Sequence, residues 1–184
     1  KSVVNRIKTG NFDDNMKDIA SCDWIIEVVV ERLDIKQLIY EKVEKHRKPG
    51  TLITSNTSGI PIHMMAEGRS EDFKKHFCGT HFFNPPRYLR LLEIIPTPFT
   101  DPEVVDFLMH YGDVHLGKTT VLCKDTPAFI ANRIGVFSIM SLLSELICDT
   151  RYILKAIHQI HPARSSDQEL LCLCNNSSLS SLCL

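Results

Sequence analysis

Apolar and polar positions along the chain fall into alternating strand-like and helix-like blocks. Residues 23–30, DWIIEVVV, are a nearly unbroken apolar run rich in β-branched side chains, the pattern of a parallel strand covered on both faces. The next block, RLDIKQLIYEKVEKHRKPG, sets Ile35, Leu38, Ile39 and Val43 on one helical face with charges opposite, and Pro49-Gly50 stops it. TLITSN (51–56) predicts a second strand, followed by a polar turn and a short helix opening near Pro61. FCGTHFF (77–83) and RLLEIIP (90–96) predict two more strands around a proline-rich turn. Residues 100–118 predict a helix with Thr100 as N-cap, Pro102 in its first turn and Glu103 at the capping-box position. TTVLCKD (119–125) predicts the last strand, and 127–147 a long helix, apolar nearly all round, that needs partners on several sides.

Strand, helix, strand, helix in this order implies right-handed crossovers and a mainly parallel sheet of an α/β domain. From residue 149 the composition turns to Ser, Leu and Cys without caps or period, as in a poorly ordered tail. The expected organisation is an α/β part over 1–125, one helix over 126–148 and an unassigned low-complexity tail over 149–184.

At 43% hydrophobic and 23% charged the 184 residues have an ordinary globular composition. A net charge of −1 speaks against nucleic-acid or membrane-surface binding by bulk electrostatics. No apolar run approaches the roughly 20 residues of a bilayer crossing, so no membrane span is expected. The first residues carry no secretory pattern and do not begin with Met, the reading expected of a chain that starts inside a longer protein. Seven cysteines at irregular spacing, with no C-x-x-C, fit a reducing, cytoplasmic compartment. Cys22, Cys78 and Cys123 lie beside apolar runs, where cysteine acts as a small buried hydrophobe. His158, His161, Cys172 and Cys174 match no common zinc spacing, and no metal site is expected.

Two ionisable residues stand inside apolar runs: His81 in GTHFFNPP and Glu93 in LLEII. A buried carboxylate costs several kcal/mol unless paired. A glutamate bonded to one imidazole nitrogen fixes the tautomer and frees the other nitrogen to accept a proton. Two readings stay open on these residues alone: a working pair, or a satisfied core histidine with a solvent-facing glutamate. Ligands gather at the carboxyl ends of parallel strands, where Glu31, the SNTS turn (55–58) and Asn84 fall. As a loop by itself SNTS also reads as a helix cap with an Asx-type turn. Asn132 in FIANR is a polar residue in an apolar helix and says little alone.

From about Ser21 to Met140 the chain resembles the L-3-hydroxyacyl-CoA dehydrogenase family, in the version found in bacterial multifunctional β-oxidation proteins. DWIIEVVVERLDIKQ, ITSNTSGI, GTHFFNPPRYLRLLEIIPT and VLCKDTPAFIANRIG carry the resemblance, in the family's order and spacing. It implies NAD as cofactor and oxidation of a 3-hydroxyacyl-CoA to the 3-oxoacyl-CoA. His81 would be the general base and Glu93 the residue that orients it. Ser58 and Asn132 would hydrogen-bond the substrate's reacting oxygens. Glu31, Lys36 and Asn56 match positions lining the nicotinamide–ribose end of the cofactor site.

The sequence departs from the family at both ends. No G-x-G-x-x-G is present, although that loop gives a dinucleotide's diphosphate its main site. The family also continues into a helical domain through which subunits dimerise, of which only the first helix is recognisable. The expected fold is therefore a partial Rossmann-type dinucleotide-binding domain without its first βαβ glycine-loop unit, followed by the start of an all-α domain. Beside the dehydrogenase stand an inactive fragment serving as a binding or structural module, and an enzyme of the same class acting on another short hydroxyacid.

Overall fold

The computed structural model describes residues 3–160. Two 3-10 turns, Val3–Arg6 and Met16–Ser21, precede the first strand. There follow β1 (Trp24–Glu27), α1 (Leu33–His46), β2 (Leu52–Ser55), α2 (Ile62–Ala66), α3 (Glu71–Lys75), β3 (Phe77–Phe82), β4 (Leu91–Pro96), α4 (Pro102–Val114), β5 (Thr119–Leu122) and α5 (Ala131–Ile160). The five strands lie in sequence order in one sheet. β1, β2 and β3 are parallel, β3 and β4 antiparallel, and β4 and β5 parallel. The carboxyl ends of β1, β2 and β3 thus share one edge with the start of β4.

Strand alternation divides the core in two. Ile53, Phe77 and Ile95 join Tyr40, Ile62, Met65 and Phe73 on one face. Leu52, Cys78, Leu92 and Ile94 meet Leu108 of α4 on the other. Gly79 permits the first packing, because a Cβ there would meet Ile62 Cδ1 at 2.7 Å and Ile95 Cβ at 3.0 Å. Its lack of a side chain lets α2 close on β3 and brings the 55–61 turn beside the end of that strand.

Several elements differ from the sequence pattern. The buried residues of α1 are Lys36, Tyr40 and Val43, while Leu38, expected on the inner face, is 62% exposed. A buried carboxylate on β1 draws the lysine inward, as described below. Thr100 does not cap α4: Asp101 does, accepting from the Glu103 N–H, with Pro102 as first helical residue. Thr100 Oγ1 instead accepts from the Thr97 N–H and donates to the Phe77 carbonyl. α3, which the pattern did not predict, is capped by Ser70. The last helix opens at Ala131 rather than 127, because Ala128 and Phe129 take positive φ, 61° and 48°. It then runs to Ile160, into the stretch read as tail, whose remaining residues lie outside the described ones.

The chain divides into two units, Lys1–Arg133 and Ile134–Leu184. The second unit contributes the body of α5, where Ile134, Val136, Phe137, Ile139, Met140, Leu142 and Leu143 occupy the whole circumference. Contrary to the expected absence of a long apolar run, Ala131–Lys155 meets the length and composition of a membrane crossing. The central helix of a larger helical domain has the same composition.

Candidate functional site

The site is assembled at the shared strand edge of the first unit. His81, next to last in β3, lies directly opposite Glu93 across the antiparallel pair. Directly opposed side chains project to the same face, and here that face carries Phe129. The imidazole Nδ1 is 2.7 Å from Glu93 Oε2, with His81 4% and Glu93 1% exposed. The second carboxylate oxygen accepts from the Ile130 and Ala131 N–H groups at 3.1 and 2.8 Å. Glu93 therefore anchors the histidine with one oxygen and the start of α5 with the other.

Phe83 and Phe129 flank the imidazole, with ring centroids 4.4 and 5.8 Å away. His81 Nε2 makes no hydrogen bond among the described residues and is not one of their sealed, unsatisfied polar atoms. It is the free end of the pair. Behind Glu93, burial and the nearby carboxylate push the Cys123 thiol up to about 12, so it stays protonated at neutral pH.

Next along the edge, Asn132 Nδ2 donates to the Ser58 carbonyl at 2.8 Å, tying residue 132 to the turn after β2. Ser58 is exposed. Its N–H and that of Gly59 donate to Glu31 Oε1 at 2.9 and 3.2 Å, and the Thr57 hydroxyl donates to the same oxygen. Partial burial opposes ionisation of Glu31, but Thr57, the Ser58 N–H and the Lys36 charge outweigh it and hold its carboxyl below the usual range. Asn56 Oδ1 accepts from the Phe82 N–H at 2.8 Å, so it fixes the end of β3.

Lys36 is 1% exposed, and its ammonium is spent on Glu27, the Val29 carbonyl and Glu31. It acts on this edge through Glu31 rather than by presenting itself. Six of the seven site residues that the resemblance implies thus fall on one path of hydrogen bonds and chain neighbours: His81, Glu93, the start of α5, Asn132, Ser58, Glu31 and Lys36; Asn56 lies alongside, bonded to the end of β3. Missed by sequence reasoning were Glu27 and the two phenylalanines, while Ser55 and Thr57 stand out in the sequence only as members of the SNTS turn. Of the groups considered as metal ligands, His161, Cys172 and Cys174 lie outside the described residues.

A mixed α/β sheet with polar groups gathered at the carboxyl ends of its parallel strands has the architecture of a dinucleotide-binding domain. The family model described as "3-hydroxyacyl-CoA dehydrogenase, NAD binding domain" matches residues 1–126, and the chain belongs to that family. A Bacillus subtilis protein described as a probable 3-hydroxyacyl-CoA dehydrogenase is 53% identical over 141 residues, 77% of this chain and 18% of that protein. A Deinococcus radiodurans protein of the same description is 49% identical over 140 residues, 76% of this chain and 40% of that one. The chain thus spans less than half the length of either relative. Among solved structures, 3-hydroxybutyryl-CoA dehydrogenase from Escherichia coli K12 superposes with a TM-score of 0.60 at 35% identity, over 64% of this chain and 24% of that one.

Proposed function

We propose that the chain is part of an NAD-dependent enzyme that oxidises an L-3-hydroxyacyl-CoA to the 3-oxoacyl-CoA in fatty acid β-oxidation, with His81 as general base. The observation that carries this reading is the buried His81–Glu93 pair with Nε2 left free. A carboxylate only accepts hydrogen bonds, so Glu93 keeps the imidazole proton on Nδ1 and the lone pair on Nε2. The substrate hydroxyl gives its proton to Nε2 as the carbonyl forms. Glu93 then faces an imidazolium, and its own charge is held in place by the Ile130 and Ala131 N–H groups.

In this reading the exposed Ser58 hydroxyl and the Asn132 amide hold the reacting oxygens, and the Asn132–Ser58 hydrogen bond that keeps the two residues together supports it. Glu31 keeps Oε2 on its Lys36 side, and a carboxylate at a strand's carboxyl end suits the hydroxyls of a ribose. These residues fit the nicotinamide–ribose end of NAD, which when bound supplies the hydride acceptor. Lys36 and Asn56 serve that end indirectly, by holding Glu31 and the end of β3.

The test is NADH formation from NAD and 3-hydroxybutyryl-CoA. His81→Gln should lower the rate by about 10²–10⁴-fold. Equal rates in the two proteins would refute the assignment of the base.

One observation favours a second reading for this chain. The sequence contains no G-x-G-x-x-G for a diphosphate. A binding module without turnover would take up acyl-CoA in calorimetry while giving no heat with NAD, and heat with both separates the dehydrogenase from it.

A further inference from the structure

The most heavily bonded carboxylate at this edge does not itself face the candidate site. Glu27, the last residue of β1, is 5% exposed. It accepts from the Val29 N–H at 2.6 Å, Lys36 Nζ at 2.9 and 3.1 Å, the Tyr40 hydroxyl at 2.8 Å and the Ser55 hydroxyl at 2.6 Å. Such saturation is what a buried charge requires, but two of the donors lead onward.

Ser55 Oγ donates to Glu27 and accepts from the Thr57 N–H at 3.2 Å, fixing the turn that presents Ser58. Lys36 continues from Glu27 to Glu31 Oε2 at 3.3 Å. The other oxygen of Glu31 returns to the same turn through Thr57, Ser58 and Gly59. Both arms therefore start at one carboxylate and converge on residues 57–59. The ammonium is shared unequally, closer to Glu27 than to Glu31. Glu27 thereby keeps Lys36 from closing fully onto Glu31.

We propose that Glu27 is a positioning residue of the site, holding Ser58 through Ser55 and Glu31 through Lys36. Only the identity of what Ser58 and Glu31 contact rests on the functional reading above; the positioning itself does not.

The test follows the Glu31 carboxyl titration and the amide exchange of residues 57–59 by NMR in Glu27→Gln, Ser55→Ala and Tyr40→Phe. In Glu27→Gln, Lys36 has one carboxylate left, so the Glu31 midpoint falls by about one pH unit and exchange at Ser58 rises about tenfold. Ser55→Ala cuts one arm only: exchange at Thr57 and Ser58 rises and the Glu31 midpoint stays. Tyr40→Phe removes a donor from the same carboxylate without touching either arm, and changes neither. Should Glu27→Gln fail to fold, Ser55→Ala against Tyr40→Phe still decides. An unmoved midpoint and unmoved exchange in Glu27→Gln, unmoved exchange in Ser55→Ala, or both changes in Tyr40→Phe overturns the proposal. Glu27→Gln should also weaken NADH binding about tenfold. If the unaltered chain binds no NADH, the functional reading falls, while the NMR measurements still settle the role of Glu27.

Discussion

Glutamine at position 93 preserves the shape of the side chain and removes its charge. A carboxylate accepts on both oxygens, whereas an amide accepts at one end and donates at the other. At Glu93 both ends already face donors: His81 Nδ1 at 2.7 Å, and the Ile130 and Ala131 N–H groups at 3.1 and 2.8 Å. If the new NH2 turns to His81, the imidazole must accept there and carry its proton on Nε2, which then cannot serve as the proposed base. If it turns to the start of α5, two partly buried N–H groups lose their acceptor. A hydrogen bond to a charged group contributes about 1 kcal/mol more than a neutral one. Three such bonds amount to about 3 kcal/mol, and release of a buried charge offsets part of that.

Glu93→Gln should therefore reduce the unfolding free energy by about 1–3 kcal/mol and the rate of NADH formation by about 10²–10⁴-fold. Urea unfolding is readable through Trp24, the single tryptophan, which packs edge-on to Tyr111 at 5.8 Å. The rate is followed by NADH absorbance. A stable Glu93→Gln protein with full activity would refute the orienting role. A destabilised protein with full activity would leave Glu93 as an anchor of α5 alone.

Ala128 has φ of 61°, in the left-handed region that penalises a Cβ; Ala128→Gly should raise the urea midpoint, by about 0.5–1 kcal/mol in stability, and a lowered midpoint would show that the turn is not strained. Glu31, with its carboxyl held below the usual range, contributes stability that is complete above the ordinary glutamate pKa and is lost as pH falls through the folded one. Unfolding free energies of the chain and of Glu31→Gln should accordingly converge in acid and diverge toward neutral pH; parallel curves would refute the linkage. Burial pushes the Cys78 and Cys123 thiols up to about 12, so both should resist a thiol-reactive dye at neutral pH until the protein unfolds, while the exposed Cys148 reacts at once.

His81 and Glu93 were legible because each interrupts an apolar run at a cost, and strand register turned a spacing of twelve residues into direct opposition. Glu27 sits in an equally apolar run, WIIEVVV, and went unread. The whole run has the pattern of one strand covered on both faces, although the strand ends at Glu27 itself. Reading the charge as a strand terminus would have raised the question of its partner. That partner is hidden by the helix pattern: Ile35, Leu38, Ile39 and Val43 make a better apolar face than Lys36, Tyr40 and Val43, yet of the first set only Val43 is fully buried. Burial of Lys36 is set by a carboxylate nine residues earlier, not by the period of its own helix. Local pattern and global structure disagree at α1 because the helix packs a cation against the Glu27 carboxylate, and such disagreements are expected where a fold gives up packing to hold a site. The edge residues are therefore read less surely from their own surroundings than from the buried charge that each must satisfy.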